Sequence, residues 1–153
     1  MNAPRPAGLA LLALIVTASC EAPEPAMMPV ILPPAPEVQR QAETGEAAAQ
    51  FALAQYHLGD KDPAVMLRWL RASACQGDPL AQVSLGVLYD AGDRVYQDRI
   101  EAYLWFSWAA QQGNSEAAQF AVDLKTAMAD DERAFAETLL QDGWLAMLDC
   151  RTQ

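Results

Sequence analysis

What most limits the folds open to this chain is that part of it repeats. Trp69-Leu-Arg-Ala-Ser-Ala-Cys-Gln-Gly77, followed by Asp78, aligns with Trp105-Phe-Ser-Trp-Ala-Ala-Gln-Gln-Gly113, followed by Asn114, at an offset of 36 residues. Upstream, Ala49-Gln-Phe-Ala-Leu53 matches Ala81-Gln-Val-Ser-Leu85 at an offset of 32, so the first unit has the shorter internal loop. A third start, Ala117-Ala-Gln-Phe-Ala121, lies 36 residues beyond Ala81. A period of this length marks an array in which one supersecondary unit stacks on the next.

The units read as helical. Asp62-Pro63 and Asp78-Pro79 are helix starts: an Asp at the N-cap accepts free backbone N–H groups, and proline in the first turn lacks a donor that would go unused there. Asp98, Ser115 and Asp130 open three further helices, and glycines at 59, 77, 92, 113 and 143 supply ends. The expectation is five or six helices of about twelve to fifteen residues, with no alternating strand pattern. Small residues such as Ala81, Gly86 and Ala109 let paired helices approach closely, while Leu85, Leu88, Trp105 and Phe106 fill the gaps between hairpins, each burying its apolar face on its neighbour. Trp69, Trp105, Trp108 and Trp144 are read as core residues.

The middle unit resembles the Sel1-like repeat, a relative of the tetratricopeptide repeat. Ala81, Leu85, Gly86, Tyr89, Gly92, Val95, Asp98, Ala102, Trp105, Ala109 and Gly113 fill that pattern in order. The first unit is degenerate, with Ala54 in place of the paired glycine and Tyr56 or His57 near the Tyr position, and the third keeps only its opening. The resemblance covers about residues 45–141 and implies an all-α fold, a right-handed α-solenoid of helical hairpins. The segment from Met128 to Trp144 then serves as a C-terminal capping helix, using Ala134, Phe135, Leu139 and Leu140. The resemblance also implies a concave groove lined mainly by the first helix of each hairpin, with Gln50, Gln82, Tyr89 and Gln119 as the expected partner-binding residues. Tyr89 has packing as its other reading.

The N-terminus reads as an export signal. Arg5 precedes the uncharged stretch Ala7 to Ala18, which is too short to span a bilayer that needs about twenty residues. Ala18 and Ser19 before Cys20 resemble a bacterial lipobox, which makes residues 1–19 a signal peptide and Cys20 the lipid attachment site. Thr17 stands where a lipobox usually has Leu, and processing by ordinary signal peptidase is the alternative. Six prolines between Glu21 and Pro36 exclude regular helix or sheet over that stretch. Residues 20–43 are therefore expected to be an extended tether, and residues 44–150 the repeat domain.

Charge and composition narrow the function. Ten Lys plus Arg against twenty Asp plus Glu give a net charge of −10, which repels phosphate backbones and argues against nucleic acid as a partner. The single histidine, His57, has no nucleophile placed beside it, and no paired Cys or His has metal-ligand spacing, so no catalytic residue, metal or cofactor is expected. Acidic runs such as Asp130-Asp131-Glu132 read as helix N-terminal charges. Cys75 and Cys150 remain as an even pair for a disulfide in an oxidising compartment, although they fall in different layers of the expected stack. Together these readings point to a non-catalytic adaptor or regulator in the bacterial cell envelope. It would be held in the periplasm by a lipid on the inner or outer membrane and would bind another envelope protein. Two other readings stand beside it: an enzyme acting on cell-wall or β-lactam substrates, as some cysteine-rich Sel1-like proteins do, and a passive envelope spacer.

Overall fold

The computed structural model describes residues 34–60, 62–143 and 150. Among them the chain forms seven α-helices and no strand: α1 (Pro36–Glu43), α2 (Ala47–Tyr56), α3 (Ala64–Cys75), α4 (Pro79–Ala91), α5 (Arg99–Gln111), α6 (Ser115–Ala127) and α7 (Asp130–Gln141), with a short 3-10 turn at His57–Gly59 after α2. None of these helices is long and apolar enough to cross a membrane.

Asp78 and Asp98 cap their helices as the sequence implies, whereas α3 begins at Ala64 with Pro63, not Asp62, at its N-cap. The Asp78 side chain accepts from the N–H groups of Leu80 and Ala81, with Pro79 as the first helical residue. Asp98 accepts from Glu101 N–H, and Asp62 from Ala64 N–H at 2.9 Å. At α6 the cap is Asn114, which accepts from Ala117 N–H, so Ser115 is the first helical residue. At α7, Ala129 has no side-chain acceptor, and Glu132 reaches back to the Ala129 N–H at 3.2 Å.

The helices pair as α2 with α3 and α4 with α5, and successive hairpins meet through α3 and α4. α6 packs along α5, and α7 lies against α5, joined to α6 by an ion pair between Lys125 and Glu137 at 2.6 Å. One continuous core runs from Ala54 in α2 to Ala136 in α7, with Leu85, Leu104, Trp105 and Phe106 buried in it. Trp69 and Trp108 are half-buried at its edges, and the rings of Trp108 and Trp105 stack at 5.7 Å. Trp144 lies outside the described residues. α7 closes the end of this core through Ala136, Leu139 and Leu140, whereas Phe135, expected to join them, is exposed, and so is Ala134.

The structure corrects the expected end of the tether. α1 occupies residues 36–43, with Pro36 as its first residue. Proline excludes helix interiors but is well placed in a first turn, where its fixed φ and missing N–H carry no penalty. Ala42 of α1 is buried in a second small cluster with Ala49 and Leu53, flanked by Val38 and Trp69. α1 also ends as α3 and α5 do. Gly45, Gly77 and Gly113 have φ of 97°, 91° and 92°, a left-handed geometry that glycine adopts without a Cβ clash. Their N–H groups donate to Ala42, Ala74 and Ala110 respectively, and the next residue in each case, Glu46, Asp78 and Asn114, donates to the carbonyl four residues before the glycine. α1 is therefore the second helix of a further half-repeat, packed on the N-terminal side of α2.

Candidate functional site

The first helices of the units, α2, α4 and α6, are separated by α3 and α5, on which they pack. Between α2 and α4 this leaves an open apolar hollow of about 240 Å³, with Phe51, Leu58, Met66, Leu70, Val87 and Leu88 in its wall. Among the described residues Gln55 and Ser84 are the polar ones there, and none that lines it is charged. Leu58 and Val87 are 51% and 46% exposed, so the hollow presents apolar surface to solvent. Between α4 and α6 lies a second hollow of about 310 Å³, with Phe106 and Phe120 in its wall and Asp90, Asp123 and Arg99 beside them. The two phenyl rings meet at 5.0 Å between centroids, tilted by 44°.

Two of the expected groove residues do not reach this surface. Gln50 and Gln82 are buried, at 7% and 0% exposure. The Gln82 amide donates to the Ala74 carbonyl at 3.1 Å and its oxygen accepts from Gln112 at 2.7 Å. Gln50 repeats this arrangement one unit earlier, donating to Ala42 O at 3.1 Å and accepting from Gln76 at 2.7 Å. Each glutamine ties its own helix to the end of the preceding one and to the end of the helix that follows, so both are structural. The reason is helical geometry: one residue is a rotation of 100°, and the next residues, Phe51 and Val83, sit at the edge of the core, only partly buried. In the third unit Ala118 occupies the glutamine position by the 36-residue offset. Gln119 is exposed and donates to Asp123 within α6 at 2.8 Å.

Tyr89 is 93% buried, as its 7% exposure states, and its hydroxyl accepts from the Arg71 guanidinium. Burial pushes its phenol up from the ordinary tyrosine value, partly offset by Arg71. Beside it, burial raises the carboxyl of Glu101, while Arg71 and the Trp105 indole favour the ionised form. This is a polar cluster that joins α3, α4 and α5. Tyr89 also borders a hollow of about 740 Å³ at the α4–α5 connection, where Arg94 and Tyr96 stand. Arg94 takes a positive φ of 65°, held by its hydrogen bond to the Asp60 carbonyl at 2.8 Å, and Tyr96 is 97% exposed.

His57 Nδ1 pairs with Asp60 Oδ2 at 2.7 Å. Among the described residues no group of three or more His, Cys, Asp or Glu is placed to hold a metal. Cys75 and Cys150 are joined as a disulfide, with Cα atoms 5.4 Å apart. Although the two cysteines are 75 residues apart in sequence, the chain beyond α7 brings Cys150 back to the end of α3. Cys20 lies outside the described residues.

No family model and no curated protein matches the chain. Among solved structures it is similar to a Sel1 repeat protein from Oxalobacter formigenes, at 27% identity over 69% of this chain and 96% of that one, with a TM-score of 0.52. Together with the repeat pattern and the three matching helix ends, this similarity supports a Sel1-like architecture: among the described residues the chain is all-α, a stack of helical hairpins similar to that Sel1 repeat protein.

Proposed function

We propose that this protein is a non-catalytic interaction scaffold of the bacterial cell envelope, exported through residues 1–19 and held at the membrane by a lipid on Cys20, whose repeat domain binds another envelope protein. The observation that carries the reading is the open apolar hollow between α2 and α4. Exposed apolar surface lining a concavity is costly to keep in water, and on a soluble domain it marks a binding surface. The surrounding scaffold is built to hold that surface still, through the buried glutamines and a core that runs without a break through the hairpins. Ala18-Ser19-Cys20 after an apolar stretch supports the anchor, and several acyl chains, each buried methylene contributing about 0.8 kcal/mol, hold a domain firmly.

The test is a photo-crosslinking amino acid installed in intact cells at Val87 in the hollow, or at exposed Arg68 on α3 as a control, with membrane fractionation of wild type and Cys20→Ala. A discrete adduct from position 87 that is absent from position 68, and release of Cys20→Ala from the membrane, are the expected results. Equal labelling at both positions would favour a passive spacer, and unchanged fractionation would remove the lipid anchor.

A further inference from the structure

We propose that the groove receives a peptide segment that is both apolar and basic: an aliphatic or aromatic side chain seated between α2 and α4, and a Lys or Arg two to four residues away seated between α4 and α6. This rests on the scaffold reading above and adds the chemistry of the partner.

The two hollows flank α4 but differ in kind. The one toward α2 has no charged group in its wall among the described residues, so an apolar side chain is the one desolvated there without penalty. The one toward α6 sets Asp90 and Asp123 beside the rings of Phe106 and Phe120. A cation fits such a place twice over, because the partly exposed Phe120 ring attracts it through its quadrupole and the carboxylates through charge, with buried Phe106 backing that ring. Arginine suits it best, since its planar guanidinium stacks on a ring while its edge donates to carboxylates. Arg99 lines the same hollow, leaving two carboxylates against one guanidinium, and the net charge of −10 adds a long-range attraction for a basic segment.

Spacing follows from geometry. Val87 and Asp90 are three residues apart on α4, hence about 4.5 Å along its axis, and the hollows lie on opposite flanks of that helix, a width of about 8–10 Å. An extended peptide advances about 3.3 Å per residue. The cationic side chain therefore falls two to four residues from the apolar one.

The experiment is selection of a displayed random twelve-residue peptide library on the full chain, then binding of the enriched peptides to wild type, Val87→Asp, Leu58→Asp and Asp90→Asn/Asp123→Asn, each verified as helical by circular dichroism. Val87 and Leu58 are exposed, so their variants retain the core. The expected result is enrichment of peptides carrying an apolar residue with Lys or Arg two to four positions away. These should lose at least about tenfold in affinity on Val87→Asp or Leu58→Asp and about three- to tenfold on the double Asn variant, whose residual binding depends less steeply on salt. Enriched peptides with no basic preference, or wild-type affinity for the double Asn variant, would overturn the proposal while leaving the groove as the binding surface. Peptides insensitive to both apolar-hollow variants would overturn the groove reading as well.

Discussion

Gly86 shows how closely the hairpin helices approach. A Cβ at that position would lie 2.6 Å from Phe106 Cε1, a distance the buried ring cannot accept without moving. Gly86→Ala gains helix propensity of up to about 1 kcal/mol but overpacks the α4–α5 contact at about 1–3 kcal/mol. The expected outcome is a net loss of stability of about 1–2 kcal/mol, read by urea titration. Glu101 makes a second residue-scale prediction. Burial raises its carboxyl above the ordinary value, so the ionised form is disfavoured in the folded state. The stability that follows from this shift is fully present below the unfolded value and is lost as pH rises through the raised folded value. Glu101→Gln removes that dependence, so its stability relative to wild type should increase as pH rises across this window. A difference between the two proteins that stays constant with pH would contradict this account.

At the scale of elements, two buried glutamines do what a capping interaction does elsewhere. Gln82 donates a second hydrogen bond to the Ala74 carbonyl at the end of α3, beside that from Gly77 N–H, and meets Gln112 just beyond α5, linking three helices through one side chain. Gln82→Leu keeps the volume but removes two hydrogen bonds, one to the Ala74 carbonyl, which still accepts from Gly77 N–H, and one from Gln112, at an expected cost of about 1–3 kcal/mol for the pair. Gln119→Leu on exposed α6 should change stability by no more than about 0.5 kcal/mol, and thermal unfolding of the two variants side by side distinguishes a structural glutamine from a surface one. The same helix ends explain why α1 belongs to the domain. Its Ala42-to-Gly45 turn has the hydrogen bonds of the turns at Gly77 and Gly113, and the match was available in the sequence at offsets of 32 and 36 residues. The run of prolines before it obscured that signal, because the last of them is the first residue of the helix.

For the whole molecule, an array with few repeats has little core to share between neighbours, and a cross-link between distant parts of the chain matters accordingly. The Cys75–Cys150 disulfide spans 75 residues, for which loop-closure entropy contributes about 4 kcal/mol. Cys75→Ala/Cys150→Ala, or reduction of wild type, should lower the unfolding free energy by up to that amount, and unchanged denaturant midpoints would show the bond to be energetically idle. Apart from α1, the helices and their repeat were legible in the sequence because both rest on local signals: Asp–Pro helix starts, glycine ends and small residues recurring with the repeat. The direction of individual side chains was not. Gln50 and Gln82 stand at the same step of their repeats as residues that line a groove would, and only the packing of α1, α3 and α5 around them shows that their amides face inward. The hollow that replaces them, with Leu58 and Val87 at its rim, has no sequence signature, since an apolar residue on an amphipathic helix reads as core. Sequence alone determined which segments become helices and how often they recur, because those are properties of neighbouring residues. The exposed apolar surface, the buried glutamines and the joining of α3 to the chain end were decided only by tertiary structure, because each depends on residues from different helices meeting in space.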